Sequence, residues 1–100
     1  MEFPFFDSHQ TARLVVEADF DPQLPLRVLH RFTEIGALPN RFVTEATSPD
    51  RPLRIEVEFT TAVEPARLLA RRLLTLPSTL RVDLSFRRER TAAAPRRARA

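Results

Sequence analysis

The sequence predicts an α+β fold with two layers, a four-stranded antiparallel sheet covered on one face by two helices. Four segments alternate apolar and polar residues with the period of a strand that buries one face, and two segments repeat apolar residues with the period of a helix. The order is βαββαβ, two similar halves. Packing both helices on one face of one sheet buries every apolar side. Right-handed crossovers then give the ferredoxin-like arrangement, with the first and third strands central and the second and fourth at the edges.

The first strand and helix are predicted within the stretch from Leu14 to Gly36. The strand is expected from about Ala12 to Phe20, and its inward set is Leu14, Val16, Ala18 and Phe20. The outward set is Arg13, Val15, Glu17 and Asp19. The stripe of the helix is Leu24, Val28, Phe32 and Ile35, with Gly36 as the left-handed C-cap.

Two helix starts are compatible with the prolines. Asp21 is predicted to be the N-cap, with Pro22 at the first helical position. Alternatively the helix begins at Pro25, because a proline disfavours the helical conformation of the residue before it.

The remaining elements follow the same two periods. We expect a second strand over Asn40 to Ala46, a third over Leu53 to Phe59 and a fourth over Leu80 to Phe86. Thr61 and Glu64 have the spacing of a capping box for the second helix. The stripe of that helix is Ala66, Leu69, Ala70, Leu73, Leu74 and Leu76.

Length and composition indicate one globular domain. Of 100 residues, 43% are hydrophobic and 29% are charged, and no apolar run approaches the ~20 residues of a membrane span. The first ten residues lack the features of a secretory signal, and the chain has no Cys. We therefore expect a cytoplasmic protein without disulfides.

Charge and composition divide the chain into three parts: an N-terminal arm (1–10), the domain (11–86) and a disordered Arg-rich tail (87–100). Residues 1–86 contain ten Arg and twelve Asp or Glu, and the tail contains six Arg and one Glu. The net charge of +3 therefore comes from the tail. The arm holds Phe3, Phe5 and Phe6, which suits either a frayed end or a segment lying over a sheet.

The sequence does not predict an enzyme. It has two His, no glycine-rich phosphate loop and no metal-ligand spacing, so no catalytic residue, metal or cofactor is assigned. Glu56 and Glu58 share one face of the third strand, where cross-strand pairing with Arg is expected. The run Asp7-Ser8-His9 is no catalytic triad, because consecutive residues cannot converge in that geometry.

Nucleic-acid binding is an alternative because RNA-recognition domains share this topology and stack bases on aromatic residues of the central strands. The outward positions of the first and third strands are Arg13, Val15, Glu17, Asp19, Arg54, Glu56 and Glu58, without an aromatic residue. Only the tail could then bind RNA, without reading its sequence.

The turn from the first strand into the first helix resembles that of ACT domains, small amino-acid-sensing regulatory modules, over Leu14 to Phe86. Residues in the register of the ACT motif are Pro22, Arg27, Val28, Leu29, Phe32 and Gly36. The motif has glycine where Gln23 stands, leucine where Pro25 stands and Asn-Ile where Leu38-Pro39 stands. All three departures lie where effectors bind in that family.

The resemblance implies a regulatory domain like the regulatory subunit of acetolactate synthase. It would bind a small effector, an amino acid, or regulate an enzyme such as one of branched-chain amino-acid synthesis. Residues implied for the effector are Asp19, Asp21, Pro22, Gln23, Leu24, Leu38 and Asn40. Two alternatives remain open: a ligand-free interaction module, and RNA binding through the tail.

A homodimer is the predicted assembly, with a catalytic subunit as a further partner. The second strand leaves unpaired backbone groups at the edge, and the family pairs domains there. In a two-fold pairing centred on Val43, Arg41 of each chain lies opposite Glu45 of the other, a favourable cross-strand arrangement. The fourth strand has a comparable register, centred on Val82 with Arg81 opposite Asp83.

Overall fold

The computed structural model describes residues 10–46 and 49–87. Its elements are β1 (Gln10–Ala18), α1 (Leu24–Glu34), β2 (Pro39–Glu45), β3 (Leu53–Thr61), α2 (Val63–Leu74) and β4 (Thr79–Arg87). The strands form one antiparallel sheet in the order β2-β3-β1-β4. The predicted fold class, order of elements and central position of the first and third strands are confirmed.

The sheet includes one residue from the predicted arm and one from the predicted tail. Gln10 begins β1 opposite Thr61, and Arg87 ends β4 opposite Thr11, so both belong to the sheet. The rest of the predicted arm (1–9) and of the predicted tail (88–100) lies outside the described residues.

The core lies between the two helices and one face of the sheet, the core face. The side chains that are fully buried there include Leu14 and Val16 of β1, Ile55, Val57 and Phe59 of β3, and Val28 and Phe32 of α1. Phe32 and Phe59 meet edge to face, with ring centroids 4.8 Å apart and an interplanar angle of 86°. This geometry suits the quadrupoles of two aromatic rings and locks α1 onto the centre of the sheet.

The start of β4 departs from the predicted alternation. The pairing with β1 shifts between Glu17 and Ala18, where Arg81 faces Glu17 and Thr79 faces Ala18. Leu80 is the extra residue of this bulge and is 62% exposed, although the sequence pattern placed it on the core face.

Two further apolar residues are more exposed than the patterns predict. Phe20 was expected on the inward face of the first strand, but β1 ends at Ala18 and Phe20 lies in the loop at 40% exposure. Leu74 was expected in the stripe of the second helix, but it is the last residue of α2 and is 52% exposed. Phe20 is exposed because its strand ends before it, whereas Leu74 lies within α2 but beside the buried stripe of Ala66, Leu69 and Leu73.

The helix caps also differ from the predictions. Gln23 occupies the N-cap position of α1 without a side-chain hydrogen bond, so Asp21 is not the N-cap. Thr61 is buried at the end of β3 and Ala62 precedes α2, so no capping box forms. Gly36 does end the turn after α1 with a φ of +72°, as predicted, because an L side chain disfavours that conformation.

Adjacent leucines of α2 test this assignment of the core. Leu73 is fully buried whereas Leu74 is 52% exposed. We expect Leu73→Ala to lower the free energy of unfolding by about 2–5 kcal/mol, because it removes buried methyl groups and leaves a cavity. Leu74→Ala should cost less than about 1 kcal/mol. Urea denaturation of both variants measures the difference, and equal losses would contradict the orientation of α2.

Candidate functional site

The loop between β1 and α1, residues 19–23, contains most of the residues that the sequence assigned to an effector. The Asp21 carboxylate accepts a hydrogen bond from the Gln23 backbone N–H at 3.0 Å and one from the Ser78 hydroxyl at 3.2 Å. The Asp19 backbone N–H donates to the Ser78 carbonyl at 2.9 Å. The loop is thus tied to the connection between α2 and β4.

Few backbone donors remain at the start of α1. Pro22 and Pro25 have no N–H. The Gln23 N–H donates to Asp21, as described, and the Leu24 N–H donates to the Asp21 carbonyl at 3.0 Å. A helix N-terminus binds anions through such N–H groups, so this one offers little to the carboxylate of an amino acid.

Ser78 holds an uncommon backbone conformation. Its φ is +77°, in the left-handed region that residues with a side chain seldom adopt. The hydrogen bonds of its carbonyl to Asp19 and of its hydroxyl to Asp21 compensate for this conformation. Ser78 therefore joins the loop to the start of β4, and nothing in the sequence pattern singled it out.

A single chain does not bring all the predicted effector residues together. The loop follows Ala18, which pairs with Leu53 at one end of the sheet. Asn40 is at the opposite end, where its side-chain amide lies 3.3 Å from the Thr60 hydroxyl. Leu38 also follows α1, a helix of 11 residues that is about 16 Å long.

The predicted effector residues also differ in accessibility. Leu24 is fully buried in the core, so its side chain cannot contact a ligand. Leu38, in contrast, is 81% exposed. Asp19, Pro22 and Gln23 are exposed as well.

The face of the sheet opposite the helices is called the open face. It carries two rows of charged side chains whose sign alternates from strand to strand. One row across the sheet runs Glu45, Arg54, Glu17 and Arg81. Another runs Arg41, Glu58, Arg13 and Ser85. Neighbouring positions in a row are about 5 Å apart, so each charged side chain of the two rows has an oppositely charged side chain on an adjacent strand.

Between these rows lies Val15, which is only 7% exposed although it lies on the face opposite α1 and α2. It is paired with Glu56 on one side and Asp83 on the other. The Arg13 Nε donates to the Glu56 carboxylate at 2.6 Å across the sheet. Long charged side chains can shield such a residue with their aliphatic parts. The described part of the open face carries no aromatic side chain on which a base could stack.

A groove of about 330 Å³ lies where the row of Glu45, Arg54 and Glu17 meets one end of the sheet. We call it the β2–β3 groove; it is lined by Glu17, Glu45, Ala46, Arg51, Pro52, Leu53 and Arg54. Arg54 Nη1 is 3.9 Å from the Glu17 carboxylate, a long and exposed ion pair. Within the described residues, the side chains of Arg51 and Glu45 make neither a hydrogen bond nor an ion pair.

A second depression, of about 340 Å³, adjoins the other side of Arg51 and Pro52. It is bordered by Asp19 and Phe20 of the loop. The β2–β3 groove and the predicted effector loop are therefore neighbours at one end of the molecule. The sequence pattern places Glu45 at a dimer edge and does not single out Arg51, because strand register has to be known before the two can be placed together.

The two edge strands differ in whether their charged side chains form ion pairs. On β4, Arg81 Nε is 3.1 Å from the Asp83 carboxylate of the same strand. On β2, Arg41 and Glu45 lack an ion pair within the described residues. Residues 41–45 are paired regularly with β3, and Val43 is at the centre of that segment. The charges of β2 are thus available to a neighbouring strand.

Two kinds of feature are not found among residues 10–46 and 49–87. They contain no group of three or more His, Cys, Asp or Glu that could hold a metal ion. Neither of their helices is long and apolar enough to cross a membrane.

Comparison with known proteins identifies the fold. No protein-family model and no curated protein matches the sequence. The ACT domain from GTP pyrophosphokinase of Chlorobium tepidum matches in structure with a TM-score of 0.66 at 10% identity, over 77% of this chain and 99% of that one. The C-terminal domain of the MgtC protein from Mycobacterium tuberculosis matches with a TM-score of 0.63 at 13% identity, over 93% of this chain and 100% of that one.

A homoserine dehydrogenase from Thiobacillus denitrificans matches with a TM-score of 0.67 at 12% identity, over 84% of this chain. The match spans 19% of the dehydrogenase, so only a part of that protein has this fold. At such identities the likeness concerns the fold, and the fold of this chain is that of ACT domains.

The hydrogen bonds of Asp21 predict a structural role that can be measured. Asp21→Ala removes the acceptor of the Gln23 N–H and of the Ser78 hydroxyl, and we expect it to lower the free energy of unfolding by about 1–2 kcal/mol. Asp19→Ala is the matched control and should change it by less than about 0.5 kcal/mol, because only the backbone of Asp19 contacts Ser78. Urea denaturation compares them, and a larger loss for Asp19→Ala would refute this account of the loop.

Proposed function

We propose that this chain, which has the fold of ACT domains, is an ACT-like regulatory domain that acts as a homodimer and responds to an amino acid. Its partner is proposed to be an enzyme, such as one of branched-chain amino-acid synthesis. The fold carries this proposal, because it matches an ACT domain taken from one enzyme and a fifth of the chain of another. The cytoplasm is the proposed location.

Support for the dimer comes from the charges of β2. With two β2 strands paired antiparallel about Val43, Arg41 of each chain lies opposite Glu45 of the partner. The row Ser85, Arg13, Glu58, Arg41 of one chain then continues into Glu45, Arg54, Glu17, Arg81 of the other, and the charges alternate without interruption. A dimer paired through β4 would gain less electrostatic stabilisation, because Arg81 and Asp83 already form an ion pair with each other.

The same pairing accounts for the predicted effector residues. In a two-fold arrangement about Val43, Asn40 of the partner falls beside Ala46, at the end of the sheet where the loop lies. A loop from one chain and the start of β2 from the other would then flank one site. The effector site and the dimer are therefore one proposal: without the dimer, Leu38 and Asn40 are far from Asp19.

A ligand-free dimerisation module is the second candidate. It is favoured by the loop, in which the Gln23 and Leu24 N–H groups and the Asp21 carboxylate already have partners. The two candidates differ in whether any amino acid stabilises the fold.

A thermal-shift screen of the twenty amino acids separates these candidates. A ligand present at ~100 times its dissociation constant stabilises a protein by about 2.7 kcal/mol, which for a domain of this size raises the melting temperature by roughly 10 °C or more. We expect such a shift from at least one amino acid at millimolar concentration. No shift from any of them would favour the ligand-free module.

A charge swap tests the dimer edge. Glu45→Arg places Arg opposite Arg in both symmetric pairs, and we expect it to raise the dissociation constant of the dimer about tenfold or more. Adding Arg41→Glu should restore dimerisation. Analytical ultracentrifugation measures both variants, with circular dichroism to verify that they fold.

Asp83→Arg on β4 is the control for this swap. It should sediment as the parent dimer does if β2 is the interface. The opposite pattern, with Asp83→Arg dissociated and both β2 variants dimeric, would assign the interface to β4.

A further inference from the structure

The helical side of the domain carries an excess of positive charge. α1 contains two Arg and one Glu, and α2 contains three Arg and one Glu, so the two helices have a net charge of +3 when His30 is counted as neutral. On the open face, in contrast, charges of both signs alternate from strand to strand. Within the described residues, an anion is therefore attracted to the helices rather than to the sheet.

A cleft of about 240 Å³ lies between α1 and the connection from α2 to β4. We call it the helix cleft; it is lined by Arg27, His30, Arg31, Thr75, Leu76 and Pro77. His30 and Arg31 follow Arg27 by three and four residues, so the three side chains are neighbours on the surface of α1. Of the described residues that line the cleft, none is Asp or Glu.

The two guanidinium groups of the cleft keep donors for a ligand. Arg27 Nη2 donates to the neutral side chain of Gln23 at 3.1 Å, and Arg27 has no ion pair among the described residues. Arg31 Nη1 donates to the Glu34 carboxylate at 2.8 Å, and the same carboxylate is 3.7 Å from Arg72 Nη1. One carboxylate thus serves two Arg. Because a guanidinium has five N–H donors, Arg27 and Arg31 can both bind a further anion.

The negative end of α2 is also near the cleft, but its carbonyl groups already accept hydrogen bonds. The Arg72 carbonyl accepts from the Thr75 backbone N–H at 3.1 Å and from the Thr75 hydroxyl at 2.6 Å. The Leu73 carbonyl accepts from the Leu76 N–H at 3.1 Å, and the Leu76 carbonyl accepts from the Thr79 N–H at 3.3 Å. These bonds reduce the repulsion that free carbonyls would exert on an anion.

An apolar surface adjoins the cleft. A hollow of about 360 Å³ shares Arg27 and His30 with the helix cleft and adds Leu26, which is 70% exposed. The cleft itself is smaller than a usual small-molecule pocket of roughly 300–1,000 Å³. It therefore suits a compact charged group, with the rest of the ligand lying over Leu26.

We propose that the helix cleft binds a phosphate monoester that carries an apolar group. Arg27 and Arg31 donate to the phosphate oxygens, because the planar guanidinium matches phosphate with paired N–H donors. His30 supplies a further N–H, and the apolar group lies over Leu26. None of these side chains belongs to the proposed effector site or to the β2 edge, so this ligand is additional to the amino acid.

Calorimetric titration of the full chain at about pH 8, where a phosphate monoester carries nearly two negative charges, tests the site with three probes. We expect phenyl phosphate to bind, and inorganic phosphate to bind about threefold more weakly or worse because it lacks the apolar group. Benzyl alcohol has a ring without the charge and should not bind. Equal affinities for phenyl phosphate and inorganic phosphate would refute the apolar contact.

Variants assign the contacts. Arg27→Gln and Arg31→Gln should each weaken phenyl phosphate about tenfold, because each removes a charged donor. Leu26→Ala should weaken phenyl phosphate about threefold and leave inorganic phosphate unchanged. Arg67→Gln is the matched control, because Arg67 of α2 is exposed and pairs with Glu64 at 3.4 Å but lies outside the cleft. It should bind as the parent does, and circular dichroism verifies that all variants fold.

Two results would overturn the inference. In the first, phenyl phosphate does not bind the parent chain. In the second, it binds Arg27→Gln and Arg31→Gln as tightly as the parent, which places the anion elsewhere on the chain. Neither result depends on the amino-acid screen or on sedimentation of the dimer, so the proposed function stands or fails separately.

A soluble ester and a lipid headgroup share this phosphate chemistry, and vesicles distinguish them. Cosedimentation with phosphatidylcholine vesicles that contain phosphatidic acid, reduced in Arg27→Gln and absent without phosphatidic acid, would assign a lipid headgroup. Binding of phenyl phosphate without such cosedimentation would assign a soluble ester.

Discussion

Leu14 lies opposite Val57 on one side and Leu84 on the other, and this register of β1 determines where every other side chain of the sheet points. Successive residues of a strand face opposite sides, so a slip of one residue would expose Leu14 and bury Arg13. The same register that closes the core under α1 and α2 therefore sets the charge order on the open face. A change of register would therefore alter both surfaces together.

The open face is polar, and the order of its charges still favours one kind of partner edge over another. Glu45, Arg54, Glu17 and Arg81 alternate in sign across all four strands, so the row is neutral along its length yet has an ordered sequence of charges. Such a row does not attract a polyanion, whose phosphates would meet as many carboxylates as guanidinium groups. It does favour a partner edge with the complementary order, because like charges directly opposite destabilise a strand pair. A second copy of β2 has that order.

The loop before α1 has the conformation of a turn into a helix but few free backbone donors. Pro22 and Pro25 still suit the turn into the helix, and Gly36 still ends it in a left-handed conformation. At the start of the helix, however, Pro22 and Pro25 have no N–H, and the N–H groups of Gln23 and Leu24 are bonded to Asp21. The start of α1 therefore offers few N–H groups to the carboxylate of a ligand. The neighbouring β2–β3 groove contains both guanidinium and carboxylate groups, whereas the charged groups of the loop are carboxylates only.

Periodicity in the sequence by itself determined the six elements, their order and most of the core, since burial of Leu14, Phe32, Phe59 and Leu73 follows from spacing alone. It could not determine where elements stop: Phe20 continues the apolar pattern of the first strand but lies beyond the end of β1, and Leu74 is the last residue of α2. Leu80 leaves the pattern at a bulge in the pairing of β4 with β1. The groove likewise required tertiary structure. Arg51, Arg54 and Glu45 look like ordinary solvent-exposed charges along the chain. Strand pairing places Arg54 between Glu45 and Glu17, and the fold brings Arg51 to the same groove. Electrostatic complementarity between distant residues depends on distances that no local pattern contains.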